Sequence, residues 1–238
     1  DSITQFVLIG IEHIFGGIDH IAFLLALLLL LRSLKGLIWM ITGFTLGHSI
    51  TLALAALGWV IPDLDIVEAA IGFTIALVAA QNIAVLTGNH RQITYFSVAA
   101  LLLIVLINLT WNIGLSVLSG LGLALFALAY LWNSTDEQQS ANLRLVTSIV
   151  FGLIHGFGFA SALTETGLAS AQLVPALLGF NLGIELGQIA IITAIWVLLQ
   201  QIRQSRLLND TRLAVDLVSA ALCGLGLYWF IGRSYGII

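Results

Sequence analysis

The sequence predicts an all-α fold, a polytopic bundle of about eight transmembrane helices that forms one domain over residues 1–238. Composition is the first observation behind this. Hydrophobic residues make up 60% of the chain and Asp, Glu, Lys and Arg only 8%, against about 25% charged residues in a soluble globular domain. So little charge cannot cover a water-facing surface. Segment length is the second. The apolar runs extend over roughly 20 residues or more, the reach of a helix across hydrocarbon, whereas barrel strands would be about 10 residues long and alternate in polarity. The placement of basic residues is the third, and it depends on the spans.

Eight spans follow in order: about 3–31, 36–59, 65–86, 92–110, 113–132, 143–163, 173–200 and 212–232. The first is too long for a signal-peptide core and is followed by Arg32 and Lys35. The chain opens Asp1-Ser2-Ile3-Thr4 without an initiator Met, which reads as a processed end or a cut from a longer chain. Residues 92–132 divide at Trp111-Asn112, because one helix of about 40 residues would be twice the hydrocarbon thickness. The count becomes seven if they form a single span. Trp59, Trp111 and Trp132 fall near span ends, where an interfacial aromatic belt lies. The single cysteine, Cys223, excludes an intramolecular disulfide and a cysteine-based metal cluster.

Basic residues test the count. With alternating spans, Arg32, Lys35, Arg91, Arg144, Arg203, Arg206 and Arg212 share one side and only Arg233 takes the other. Such a bias marks the cytoplasmic face, so both termini are predicted to be extracytoplasmic. Merging spans four and five would set Arg32, Lys35 and Arg91 opposite the later arginines. The outer loops carry Asp1, Asp63, Asp65 and Glu165, a mildly acidic face that attracts cations. The net charge of −4 gives no reason to expect nucleic acid; the partners predicted are the lipid bilayer and a divalent metal ion.

Chemistry enters with the polar residues inside these spans. They include His13, His20, His48 and His155, with Glu12, Asp19, Glu68 and Glu185. An ionisable side chain in hydrocarbon costs at least about 2.5–3.5 kcal/mol on insertion scales, so a chain that repeats it is building a polar site at membrane depth. Imidazoles and carboxylates are also the preferred ligands of divalent transition metals. At about 1.5 Å per residue, His13 lies about 15 Å into span one and Glu185 about 18 Å into span seven. His48 falls halfway along span two, and His155 slightly past halfway along span six. Four residues of four helices thus reach a similar depth, with Glu68 shallower, near the outer mouth.

The motifs sharpen this. In Gly10-Ile-Glu12-His13-Ile-Phe-Gly16-Gly17-Ile-Asp19-His20, each acid–histidine pair repeats after seven residues, nearly two turns, and so returns to one helix face. Gly16 and Gly17 admit a close neighbour. In Phe44-Thr-Leu-Gly-His48-Ser49-Ile-Thr51, Ser49 could orient the imidazole or bond back to its own helix. In Phe151-Gly-Leu-Ile-His155-Gly-Phe-Gly-Phe-Ala160, the glycine density suggests close packing or a local break. Asn181, Glu185 and Gln188 form a polar stripe on one helix face. The bland reading of each is a polar seam between packed helices. Glu68 guards the mouth or is a helix-start acid; His90 falls in a cytoplasmic loop. A short echo links Phe44-x-Leu-Gly-His48 with Phe180-x-Leu-Gly-Ile-Glu185, each after a glycine-flanked histidine. Spans one and six run oppositely, so a true repeat would be inverted, as suits alternating access.

Taken together and in order, these four motifs, from residue 10 to residue 188, resemble the HupE/UreJ family, bacterial membrane proteins linked to nickel supply for hydrogenase and urease. The resemblance covers most of the chain. It implies a multi-pass protein of the bacterial inner (cytoplasmic) membrane, and a nickel or cobalt permease activity. It matches His13, Asp19, His20, His48, His155 and Glu185 to the family's polar positions. The branch most similar to this chain often has an extracytoplasmic region before the membrane domain.

Two activities fit the ligand set. One is a permease for Ni2+ or Co2+, with the six matched residues as ligands, Glu12, Ser49, Asn181 and Gln188 orienting them, and Glu68 collecting ions. The other is an intramembrane zinc-dependent hydrolase acting on a lipid or membrane peptide, in which Zn2+ is resident and Asp19 or Glu185 activates a water. No Gly-x-Ser-x-Gly or His-Glu-x-x-His supports the second, and no phosphate-binding loop links the first to ATP. A third reading is an accessory subunit whose polar residues only join helices.

Overall fold

The computed structural model describes residues 3–30, 33–111, 114–133, 137–159, 170–205 and 211–238. Asp1, Arg32, Glu165 and Arg206, on which the sidedness argument leans, lie outside them, as do Asn112 at the expected span junction and Ala160. The fold is a polytopic helical membrane bundle. In chain order the helices are α1 (Ile3–Gly16), α2 (Ile18–Leu30), α3 (Leu34–Ala56), α4 (Leu64–Thr87), α5 (His90–Trp111), α6 (Val117–Trp132), α7 (Glu137–Gly158), α8 (Ser170–Ser205) and α9 (Thr211–Ser234). No strand occurs among the described residues.

Five of these helices are long and apolar enough to cross a bilayer, and α1 with α2 makes a sixth crossing if the bent pair is one span. The expected first span is therefore not one helix. It breaks at Gly17, and the two pieces meet at 73°. Both α6 and the apolar stretch Leu145–Gly158 of α7 are shorter than a full crossing. Caps fix several ends. Asp63 accepts from the Ile66 N–H to start α4, which Gly88 ends in the left-handed conformation at φ 72°, a position where glycine carries no Cβ penalty. Ser116 starts α6 by accepting from Ser119 at 3.1 Å.

Lipid supplies no hydrophobic drive between apolar helices, so association depends on close van der Waals packing, for which small residues are needed. Three pairs use it. Between α1 and α8, Gly179 sits against Ile3 and Gly183 against Val7, so the two run parallel. Between α3 and α7, Gly43 sits against Leu145 and Gly47 against Ile149, again parallel. Gly72 of α4 sits against Phe230 of α9, and Gly226 against Ala76, so this pair is antiparallel. The α5–α6 hairpin packs Gly120 under Val105. At the centre stands α4, with 78% of its apolar window buried and with α2, α5, α7 and α9 around it. The arrangement brings together the end of α1, the start of α2, the second half of α3 and the last turn of α7, where His155 stands rather than slightly past halfway along its span.

Candidate metal centre

His13 occupies the last turn of α1 and His20 the first turn of α2. The break at Gly17 is what lets both point to one place. A Cβ on Gly17 would lie 2.6 Å from His20 Nδ1 and 3.2 Å from the His13 carbonyl oxygen; glycine leaves the space in which the His20 ring folds back. The ring centroids of His13 and His20 are 4.8 Å apart, those of His13 and His48 6.4 Å, and those of His20 and His155 5.5 Å. One ligand atom from each of His13, His20 and His48 lies within 4.8 Å of the others. A tetrahedral ion with metal–nitrogen bonds of about 2.0–2.1 Å holds its nitrogens roughly 3.4 Å apart, so modest side-chain rotation would draw these three onto one cation.

The rings of His20, His48 and His155 are each oriented by one nitrogen and left unpaired at the other. Asp19 lies 3.0 Å from His20 Nδ1 and also accepts the His20 backbone N–H. A carboxylate in that position fixes the tautomer and turns the Nε2 lone pair outward. Asn181 Oδ1 lies 3.3 Å from His48 Nδ1, a contact that assigns the proton to Nδ1. The Thr74 hydroxyl donates to the Ile71 carbonyl at 2.7 Å, so its oxygen accepts the Nε2–H of His155 at 3.0 Å. Nε2 of His13, His20 and His48 and Nδ1 of His155 are buried without a hydrogen-bond partner. A buried polar atom left unsatisfied costs about 1–3 kcal/mol. Four lie in one cluster, three of them on rings that other residues hold, and His13, His20 and His48 are close enough together to hold a metal ion.

Aromatic rings wall the cluster. Phe159 lies 4.2 Å from the His13 ring and stacks on Phe180 at 4.6 Å. Phe44 and Phe23 lie 5.0 and 5.1 Å from His155. His48 and His155 have almost no exposed surface, so water is kept from the nitrogens.

A family model described as HupE / UreJ protein matches residues 1–99 and 90–233, nearly the whole chain. The chain belongs to the HupE/UreJ family. This family is associated with nickel and cobalt transport. No curated protein and no solved structure matches the chain.

In this HupE/UreJ chain the other residues expected at the site divide. Asn181 lies against His48, through the contact just described. Gln188 accepts from Thr45 at 3.2 Å, and Glu185 accepts from Thr42 at 2.7 Å. These residues extend a polar stripe along the α3–α8 seam. Thr42 is six residues from His48, about 9 Å along the helix axis. Ser49 donates to the Thr45 carbonyl of its own helix at 2.6 Å, the other of its two expected roles. Glu12 points outward beside a cleft lined by Gln5, Phe6, Leu8 and Ile9. Glu68 pairs with Arg233 at 3.3 Å, with the guanidinium also over the Trp229 ring. Thr74 carries no signal in the sequence, where nothing distinguishes it from other intramembrane threonines. The phenylalanines do carry one, since Phe44, Phe159 and Phe180 lie within the very motifs that hold the histidines and Glu185.

Proposed function

We propose that the protein is a permease of the bacterial inner membrane for Ni2+ or Co2+, and that His13, His20, His48 and His155 are the ligands that take the ion from water. The observation carrying the reading is the set of four buried imidazole nitrogens without hydrogen-bond partners, in a family associated with nickel and cobalt transport. Neutral imidazoles replace water around the ion, and the aromatic wall makes that exchange complete. Asp19, acting through His20, supplies one compensating negative charge. Glu185, about two turns along α3 from His48 by way of Thr42, supplies a second further down the polar stripe. The cation therefore passes from the histidines to Glu185, toward the end of α3 that carries Lys35, which the bias of basic residues assigns to the cytoplasm. Protons compete with metal for imidazole, so acidification releases the cargo. The ion then becomes available to nickel enzymes such as hydrogenase or urease.

Metal content and uptake test this together. Protein purified without added metal is expected to carry little, and to take up Ni2+ or Co2+ into proteoliposomes when it is supplied. His48→Ala and Glu185→Ala abolish the uptake. About one firmly held Zn2+ per chain, lost in both variants, would instead indicate a zinc enzyme. No metal bound under any condition would reduce the cluster to packing residues of an accessory subunit.

A further inference from the structure

Two sequence patterns occur twice in the chain. Gly10-x-x-His13-x-Phe15-Gly16 on α1 returns as Gly152-x-x-His155-x-Phe157-Gly158 on α7. Gly43-Phe44-x-Leu46-Gly47 on α3 returns as Gly179-Phe180-x-Leu182-Gly183 on α8. The contacts repeat with the patterns. A Cβ on Gly10 would fall on the Phe180 carbonyl oxygen and 3.0 Å from the nitrogen of Ile184. One on Gly152 would fall on the Phe44 carbonyl oxygen and 3.0 Å from the nitrogen of His48. Likewise, Gly183 abuts the carbonyl of Val7, and Gly47 that of Ile149. With Gly10 matched to Gly152 and Gly47 to Gly183, these carbonyl and amide contacts in the α1–α8 crossing have counterparts in the α3–α7 crossing.

Chain direction defines the symmetry. Helix α1 is parallel to α8 and α3 to α7. But α3 crosses α8 antiparallel, with His48 beside Asn181 and Thr42 beside Glu185. Matched helices α1 and α7 therefore run oppositely. The remaining pair closes on itself: Gly72 meets the Phe230 nitrogen and the Gly226 carbonyl, and Gly226 meets the Ala76 nitrogen and the Gly72 carbonyl. Reciprocal contact of this kind is the mark of a two-fold axis, here one lying across the helices.

We propose that α1, α3 and α4 are an inverted copy of α7, α8 and α9, with α5–α6 inserted between the two sets, and that the histidine site opens to each side of the membrane in turn as the copies exchange conformations. The duplication stands on the contacts alone, whereas the exchange rests on the permease reading. Inverted repeats around a central site permit such rocking. His13 and His155 are then counterparts, one from each copy, and the site straddles the axis. The copies already differ in the way an exchange requires. Helix α7 packs on α4, with Thr147 and Phe151 buried. The counterpart face of α1, Gln5 and Ile9, is exposed, and α1 has no comparable packing on α9 among the described residues.

Spin-label distances read the exchange in both copies. On a Cys223→Ala background, labels at Thr4 and Ile231 report the α1–α9 separation, and labels at Val146 and Val85 the α7–α4 separation. All four positions are exposed, and thermal melting checks each variant's fold. Equilibrium dialysis measures Ni2+ binding by the same labelled protein. With Ni2+ bound, the two separations are expected to change in opposite senses. Bound Ni2+ with no change, or with both changing in the same sense, overturns the exchange and leaves the permease reading standing. If Ni2+ does not bind, the permease reading fails and the metal-free distributions decide: two populations in each pair, in matching proportion, support the exchange, and a single population in either overturns it.

Discussion

His48 has no exposed surface, its ring is held at Nδ1 by Asn181, and its Nε2 has no hydrogen-bond partner, which under the proposed function makes Nε2 the ligand atom. His48→Ala is therefore expected to abolish Ni2+ binding in equilibrium dialysis. Asn181→Leu keeps the imidazole but releases its orientation, and should weaken binding about 10–100-fold. Equal affinity in the Asn181 variant would show that the ring is held by packing alone. The histidines were legible in the sequence because each is costly in hydrocarbon. Their exact partners were not. Ser49 stands next to His48 in sequence, yet a helical serine reaches its own preceding turn more readily than its neighbour's ring. Glu185 reaches a suitable depth, but depth does not fix which face it presents, and its partner is Thr42.

Gly17 and Gly152 show what single positions do for whole helices. The break at Gly17 separates α1 from α2 and makes room for the His20 ring. Gly17→Ala should lower Ni2+ affinity while the far-ultraviolet circular dichroism remains helical; unchanged affinity would mean the ring has other room to turn. At Gly152 and Gly10 a side chain would strike a backbone carbonyl of the facing helix. Overpacking typically costs about 1–3 kcal/mol. Since the two crossings match, Gly10→Ala and Gly152→Ala should lower the melting temperature by similar amounts. A loss confined to one of them would deny the equivalence. Hydropathy located the helices well, because twenty apolar residues are a strong signal. It could not divide the first span, since a bent pair and a straight span have the same composition. The echo between Phe44 and Phe180 was visible in sequence, but only the facing carbonyls identify the crossings as equivalent.

For the molecule as a whole, one of the acidic residues expected near the outer mouth is already engaged. Glu68, the expected collector of ions, is paired with Arg233. An exposed pair of this kind contributes only about 0–1 kcal/mol. Glu68→Gln should therefore leave Ni2+ uptake into proteoliposomes within twofold of the parent, and a tenfold loss would return Glu68 to the transport path. Under the proposed function, selectivity resides at the centre, in the four imidazoles. X-ray absorption at the nickel edge of the Ni2+-loaded protein tests that most directly. The account predicts a first coordination shell of at least three imidazole nitrogens, lost with the metal in His48→Ala. A shell of oxygens alone, unchanged by that substitution, would contradict it.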